Sequence, residues 1–275
     1  MLPPGLDAGR VRAAVLDLDG TLIDHGGRPS ERSTRAIAAV EATGVRCVIA
    51  TGRMFRSARR IADLLGVTAP LVCYQGALVR DPCSGETLVH RPIGLALARE
   101  ILAELGDWAA STNVYVDDEL YVSNDNEPAR LYAELAGVPL HVVGDLASWL
   151  AVPTTKIVTV GEPVLMVELA ARMAERFGER AFVATSLPQY LEFAAEGVDK
   201  ASGAAAVGEL LGFGAADAIA FGDGDNDLEL LEWASICVCV GEGSERLRTI
   251  SDWSVPPVEE DGVARFLEGL AAARS

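Results

Sequence analysis

The chain has 275 residues, a formal net charge of −17 at pH 7 and a mean hydropathy of +0.24. This length suits a core domain that carries a smaller insert, and the negative charge argues against binding to nucleic acid or to an anionic membrane. The apolar runs are too short to cross a bilayer, and the first residues lack the pattern of a secretory signal. We therefore expect a cytoplasmic protein whose partners are small molecules, and the sequence leaves its oligomeric state open.

The first predicted strand, Val11–Leu18, is an almost continuous apolar run that contains Asp17 and is followed by Asp19. Such a run is typical of a parallel strand that is buried on both faces. Because Gly20 then predicts a turn, both carboxylates are expected at the C-terminal tip of this strand.

Helices and strands continue to alternate before and after a long central stretch. The further predicted core elements are the helix Ser30–Ala42 with Ser30 as its N-cap, the strand Val45–Ala50, the helix Met54–Leu65, the strand Leu71–Tyr74, the helix Ala201–Leu211, the strand Ala218–Phe221, the helix Leu228–Trp233, the strand Ile236–Val240 and a closing helix Asp261–Ala273. This alternation predicts an α/β fold with a doubly wound, Rossmann-like parallel sheet.

The central stretch has a different pattern, in which short segments of alternating polarity are separated by helical stretches and polar loops. The predicted strands there are Asn113–Val116, Leu120–Ser123, Lys156–Val160 and Tyr190–Phe193. This pattern predicts an α+β domain inserted into the first one. The expected organisation is a core domain in two parts, 1–81 and 196–275, and an inserted domain, 82–195.

Polar residues follow three of the predicted core strands, and a lysine opens the helix after the insert. They are Asp17, Asp19, Gly20, Thr51, Gly52, Arg53, the segment Gly222–Asp227 and Lys200. Because open α/β sheets bind ligands at the carboxyl ends of their strands, these groups are expected at one edge. Clustered carboxylates without nearby His or Cys favour Mg²⁺, and a hydroxyl, backbone amides and an ammonium suit phosphate. The site therefore suits phosphoryl transfer.

The motifs D-x-D-G-T, T-G-R, a lone Lys and G-D-G-x-N-D occur in this order, and together they resemble the haloacid dehalogenase superfamily. Only 34 positions separate Asp17 from Thr51, whereas 149 separate Thr51 from Lys200. An insert in the second interval is similar to the α/β cap of the Cof-type hydrolases. The resemblance implies a phosphatase acting on a small phosphorylated metabolite, most often a sugar phosphate and in some members a flavin or pyridoxal phosphate.

The resemblance also implies roles for individual residues. Asp17 would attack phosphorus to form an aspartyl phosphate, and Asp19 would act as general acid and then as general base. Mg²⁺ would be held by the Asp17 carboxylate, the Asp19 backbone carbonyl and Asp223, with Asp227 among the ligands or just behind them. The residues implied around the substrate phosphate are Gly20, Thr51, Gly52, Arg53, Lys200 and Asn226.

Other interpretations stay open at this point. Asp225 or Asn226 would suit the N-cap of the helix that follows, Thr51 would suit the N-cap of the helix near Met54, and Arg53 would suit a structural salt bridge. Replacements of the family's usual residues occur at Gln75, Ala201 and Glu242. A phosphoryl-transferring mutase and a binding module without turnover are the competing functions.

Overall fold

A computed structural model describes residues 2–24, 26–108 and 111–274. The strands are β1 Ala13–Leu16, β2 Arg46–Ile49, β3 Leu71–Cys73, β4 Leu78–Arg80, β5 Thr87–His90, β6 Ser111–Val116, β7 Glu119–Val122, β8 Leu140–Val142, β9 Lys156–Val160, β10 Ala181–Leu187, β11 Tyr190–Ala195, β12 Ala218–Gly222, β13 Ile236–Val240 and β14 Trp253–Val255. The α-helices are α1 Glu31–Glu41, α2 Phe55–Leu65, α3 Leu95–Leu105, α4 Glu127–Ala136, α5 Leu146–Trp149, α6 Pro163–Phe177, α7 Lys200–Leu211, α8 Leu228–Trp233, α9 Glu245–Ile250 and α10 Gly262–Arg274. Within the described ranges, none of these helices combines the length and apolar character that a bilayer crossing requires.

The chain forms two compact units. The first contains the residues up to Gly52, Ala58–Val89 and those from Asp199 onward. The second contains Arg53–Ser57 and His90–Val198. The chain therefore leaves the first unit and returns to it. Each unit has a main sheet, and a third, three-stranded sheet has the order β3-β4-β5.

The sheet of the first unit has the strand order β14-β13-β12-β1-β2, and all neighbouring strands are parallel. Every residue of β1 is buried, which explains its continuous apolar sequence. The chain runs from β1 to β2 in one direction and from β12 to β13 in the other. The switch point therefore lies between β1 and β12, and the crevice at their carboxyl ends is the place where such sheets bind ligands. The predicted α/β class with a parallel sheet is confirmed.

The helices of this unit begin and end as their sequences indicate. The Ser30 hydroxyl accepts a hydrogen bond from the Ser33 amide at 3.0 Å, which confirms the predicted N-cap of α1. Helix α1 packs against α10, and α7 packs against α8. The strand predicted over Val11–Leu18 is shorter in the structure, because the chain turns at Leu18, whose carbonyl accepts the amides of the residues that follow.

The sheet of the second unit has the order β10-β11-β9-β6-β7-β8, and it is antiparallel apart from the β7–β8 pair. One face carries Val114, Ile157 and Phe193, which pack with Leu169 and Phe177 of α6. Side chains alternate between the two faces along a strand. The opposite face therefore carries the polar residues in between, and they include Asn113, Tyr115, Lys156 and Glu192.

Candidate active site

Two aspartates meet at the switch point of the parallel sheet. The amide of Asp17 donates to the carbonyl of Phe221 at 3.1 Å, so the end of β1 stays paired with β12. Asp223 lies just beyond β12. The carboxylates of Asp17, Asp223 and Asp227 each offer an oxygen, and these oxygens all lie within 4.8 Å of one another. The structure therefore brings the acidic groups of two distant motifs together.

The turn after β1 fits closely around Asp223. Gly20 has a φ of 81°, and a Cβ added there would lie 2.3 Å from Asp223 Oδ2, so the position requires glycine. The Thr21 hydroxyl donates to Asp223 Oδ1 at 2.9 Å. Asp19 lies in the same turn and is exposed. Thr21 is a site residue that the sequence reasoning missed, although it is the last residue of D-x-D-G-T.

Lys200 joins two of the three carboxylates. Its Nζ donates to Asp17 Oδ1 and to Asp227 Oδ1, at 2.6 Å in each case, and its side chain is fully buried. Lys200 is the first residue of α7, and the carboxylate of Asp199 caps this helix by accepting the Ser202 amide at 2.6 Å. The cap fixes the start of α7 and with it the position of the amine.

Asp227 uses both of its carboxylate oxygens within the protein. Oδ1 accepts from Lys200, and Oδ2 accepts the backbone amides of Asp223 and Gly224 at 3.1 Å each. Asp227 therefore holds the loop after β12 in position beside the amine. The alternative prediction, in which Asp225 or Asn226 is the N-cap of the next helix, is wrong. The N-cap residue of α8 is Asp227, which makes no side-chain cap, and Asp225 and Asn226 are exposed.

The remaining predicted residues follow β2. Thr51 is buried, its amide donates to the carbonyl of Val72 at 2.9 Å, and Gly52 comes next in the same unit. Arg53 belongs to the second unit, where its Nη1 donates to the Ser57 hydroxyl at 3.2 Å. The structure thus brings together Asp17, Gly20, Lys200, Asp223 and Asp227, leaves Asn226 exposed, and assigns Arg53 to the other unit.

A second missed residue is Asp118, which holds the start of α2. Its two carboxylate oxygens accept the amides of Phe55 and Arg56 at 2.9 and 2.8 Å. All three residues belong to the second unit. The sequence offered Thr51 as the candidate N-cap for this helix, and a cap that lies more than sixty positions away, in a β-hairpin turn, left no local signal.

The electrostatics of the cluster favour a further positive charge. Burial is the main cause that raises the pKa of Asp17 well above its usual value, against the opposing effect of Lys200. Burial also raises the pKa of Asp223 to about 6. Burial alone would lower the pKa of Lys200, but the charges of Asp17 and Asp227 outweigh it and raise that pKa. One ammonium thus faces more carboxylates than it can neutralise, and an oxygen-only donor set of this kind fits a hard divalent cation.

Comparison with known proteins agrees with this chemistry. The sequence profile of the haloacid dehalogenase-like hydrolases matches residues 14–267. The 5-amino-6-(5-phospho-D-ribitylamino)uracil phosphatase YitU of Bacillus subtilis is 30% identical over 263 residues, which cover 92% of this chain and 95% of that protein. The HMP-PP phosphatase of Cronobacter sakazakii is 29% identical over 236 residues, which cover 86% of each chain.

Solved structures are similar over nearly the whole chain. An X-ray crystal structure of a protein from Thermotoga maritima has a TM-score of 0.84 and 30% identity, and the match covers 94% of this chain and 97% of that one. The crystal structure of a haloacid dehalogenase-like hydrolase from Bacteroides thetaiotaomicron has a TM-score of 0.86 and 25% identity, covering 94% and 99%. The motifs, the fold and these matches agree: the chain belongs to the haloacid dehalogenase-like hydrolases and is a phosphatase of that family.

Proposed function

We propose that this phosphatase is magnesium-dependent and hydrolyses phosphomonoesters of small metabolites, with sugar phosphates as the preferred class, through a phosphorylated Asp17. The observation that carries the proposal is the contact of the buried Lys200 amine with both Asp17 and Asp227 beside Asp223. An amine in this position holds one oxygen of Asp17 and leaves the other free to react. It also offsets charge when phosphate approaches.

The reaction takes two steps, which divide one difficult displacement into two easier ones. In the first, an Asp17 oxygen forms a bond to phosphorus, the ester P–O bond breaks, and Asp19 gives its proton to the leaving alcohol. In the second, Asp19 takes a proton from water, whose oxygen attacks phosphorus, and inorganic phosphate leaves as Asp17 is restored. The exposed position of Asp19, in the turn after β1, suits a group that must meet both the alcohol and water.

Phosphate and metal binding are assigned to the other residues of the site. Asp17, the Asp19 carbonyl and Asp223 would hold Mg²⁺, which when bound supplies positive charge to the phosphoryl oxygens. Asp227 orients Lys200 and the loop that carries Asp223. Around the phosphate, Gly20 lets the turn approach closely, and the other groups implied there are Thr51, Gly52, Arg53, Lys200 and Asn226. Phosphoryl transfer asks mainly for such positioning and charge stabilisation.

The named relatives support a small phosphorylated substrate. The compound in the name of the Bacillus subtilis relative carries its phosphate on a ribityl chain, which is a polyhydroxy group. A phosphate on a polyol is chemically close to a sugar phosphate, and this supports sugar phosphates as the first class to test. Flavin mononucleotide and pyridoxal phosphate are the alternative substrates. We also propose that residues 82–195 form the inserted domain and that the protein is cytoplasmic.

A substrate panel tests the proposal. Purified protein with Mg²⁺ is assayed for phosphate release from sugar phosphates, flavin mononucleotide, pyridoxal phosphate and the substrate that names the Bacillus relative. We expect turnover that chelation of the metal abolishes and that falls by at least about 10³-fold in Asp17→Asn, because the nucleophile is lost. Rapid quenching should trap a phosphorylated wild-type protein, and Asp17→Asn should carry no phosphoryl group.

Two results would overturn the proposal. If Asp17→Asn keeps the wild-type rate, the aspartyl phosphate is wrong. If the wild-type protein binds beryllofluoride tightly and yet releases no phosphate from any substrate, the site is a binding module. Transfer of the phosphoryl group to a second sugar, seen as a new phosphosugar without free phosphate, would instead indicate a mutase.

A further inference from the structure

The turn after β3 has a strained backbone. Tyr74, Gln75 and Gly76 all have positive φ values, at 51°, 59° and 101°. Residues with a Cβ are disfavoured in this left-handed region, and they persist there only where their surroundings fix them. Strained residues of this kind gather at functional sites. The contacts of the turn show which groups fix it.

On one side the turn contacts the end of β2. The amide of Gln75 donates to the carbonyl of Thr51 at 3.0 Å. The carboxamide of Gln75 lies over Gly52, because a Cβ added to Gly52 would be 2.7 Å from Gln75 Nε2. Gln75 therefore touches both residues to which phosphate binding is assigned after β2, one through its backbone and one through its side chain.

On the other side the turn contacts the start of α7. A Cβ added to Gly76 would lie 2.0 Å from the carbonyl oxygen of Asp199, the residue before Lys200. A Cβ added to Gly203, one turn further along α7, would be 3.1 Å from the Gly76 Cα. The turn is therefore packed between the Thr51–Gly52 segment and the helix start that carries the amine.

The stability of the fold does not explain why residue 75 is a glutamine. It is 7% exposed, and its Oε1 has no hydrogen-bond partner among the described residues. A buried polar atom without a partner is unfavourable, so an apolar side chain of equal length would be the more stable choice. A carboxamide, however, is polar without charge, and it can lie beside a phosphoryl group without repelling it.

We propose that Gln75 is a positioning residue for phosphate. It holds the Thr51–Gly52 segment at a fixed distance from Lys200, and its neutral amide keeps that space favourable for a phosphate dianion. This inference rests on the proposed function, since it takes Thr51, Gly52 and Lys200 as the phosphate-binding groups. Because Gln75 acts on the phosphoryl end, its effect is the same for every leaving group.

The test uses two substitutions that keep the length of the side chain. Gln75→Met removes hydrogen bonding, and Gln75→Glu adds a negative charge at constant shape. Binding of vanadate is measured by calorimetry in Mg²⁺, together with KM and kcat for several phosphomonoesters. We expect Gln75→Met to weaken vanadate binding and raise KM about five- to tenfold. We expect Gln75→Glu to weaken vanadate binding and raise KM about a hundredfold, and we expect kcat to change much less in both variants.

A pH series and a matched control separate positioning from a general structural effect. The deficit of Gln75→Glu should shrink as pH falls, because a protonated glutamate is neutral like glutamine. Gln189→Glu adds the same charge in the second unit and should bind vanadate like the wild-type protein. Mg²⁺ affinity should stay at the wild-type value in both Gln75 variants, and the thermal midpoint of Gln75→Met should be no lower than that of the wild-type protein, because an unpartnered buried polar atom is removed.

The outcomes against the inference are distinct from those against the proposed function. Wild-type vanadate affinity in both variants would overturn it, and so would a parallel loss of Mg²⁺ affinity and thermal stability. A wild-type protein that binds vanadate without releasing phosphate would overturn the proposed turnover, and the binding comparison would still decide the role of Gln75. A wild-type protein that binds no vanadate would overturn both.

Discussion

The chain has only two lysines beside 21 arginines, and the two lie in different units in superficially similar surroundings. Both side chains are buried. In the second unit, Lys156 Nζ lies 2.6 Å from Glu192 Oε2. In the first, Lys200 Nζ lies 2.6 Å from oxygens of both Asp17 and Asp227. Burial and distance alone therefore do not distinguish a structural amine from a functional one.

The two lysines differ in the balance of charge around them. Among the described residues, the ion pairs of Lys156 involve a single carboxylate, so its charge is matched within the sheet. Lys200 faces a cluster of three carboxylates, two of which have pKa values raised chiefly by burial. A matched pair needs no further partner, whereas an excess of buried carboxylates needs an additional cation. The comparison teaches that the excess of acid, more than the buried amine, marks the site.

Between the two lysines, the largest expected effect is on activity at Lys200. Lys200→Met should lower kcat by about 10²–10³-fold, because a preorganised charge that offsets the reacting phosphate is lost. Lys156→Met is the matched control, and we expect its kcat to stay within about threefold of the wild-type value under conditions where it is folded. Steady-state phosphate release, with circular dichroism to establish folding, makes the measurement. Equal losses of kcat in the two variants would break the comparison.

The next effect is on stability at Lys156. Removing one partner of a buried ion pair leaves the other charge unpaired, so Lys156→Met should lower the free energy of unfolding by about 3–5 kcal/mol. Denaturant unfolding of the protein, followed by a signal from the second unit, measures this free energy. Replacing both partners, as in Lys156→Met with Glu192→Leu, should recover most of the loss, because an apolar pair can substitute for a matched ion pair. A double variant as unstable as the single one would show that Lys156 has a further role.

Much of the first unit follows from sequence alone, and physical reasons explain the rest. The bounds of α8 and β13 are those predicted, because β13 is a continuous apolar run and α8 fills the interval between that run and the acidic loop after β12. Short elements such as β4, β5 and β14 were not predicted, since none of them contains a run of four apolar residues like those that indicated β2 and β3. In the second unit, the helix α4 and the strand β10 escaped prediction because they lie between polar loops.

In the candidate site, too, some features follow from the sequence and others do not. That Asp17 and Asp223 meet follows from two neighbouring parallel strands, and the order of motifs indicates it. The use of both Asp227 oxygens, one on Lys200 and one on the loop amides, depends on a register that no local pattern specifies. The order of motifs indicated Lys200 as the site amine, and the structure adds that this amine contacts two carboxylates, whereas Lys156 pairs with Glu192.

A smaller effect concerns pH. The pKa of Asp223 is raised by burial from its usual value near 3.8 to about 6. A carboxyl whose pKa is higher in the folded state stabilises the fold below its unfolded pKa, and this contribution is lost as pH rises through the folded value. As pH rises from about 4 to 6, the thermal midpoint of the metal-free wild-type protein should therefore fall relative to that of Asp223→Asn. Added Mg²⁺ should restore the midpoint.

The same carboxyl must lose its proton to bind a cation, so its titration should lower Mg²⁺ affinity by up to about tenfold per pH unit below pH 6. Calorimetric titration with Mg²⁺ at several pH values measures this dependence. If the wild-type protein and Asp223→Asn show the same pH dependence of the midpoint, the excess of acid beside Lys200 does not weaken the fold, and the contrast with the matched pair at Lys156 fails on stability.

The smallest expected effect tests how finely the acidic cluster is adjusted. The Thr21 hydroxyl donates to Asp223 Oδ1, and this hydrogen bond lowers the pKa that burial raises. Thr21→Val keeps the shape and removes the donor, so the pKa of Asp223 should rise further and Mg²⁺ affinity at pH 7 should fall by about three- to tenfold. Saturating Mg²⁺ should restore the wild-type kcat. Thr249→Val, which removes an exposed hydroxyl on α9, is the control and should leave Mg²⁺ binding unchanged. An unchanged Mg²⁺ affinity in Thr21→Val would mean that Asp223 is not a ligand, and the excess of carboxylate around Lys200 would then need another explanation.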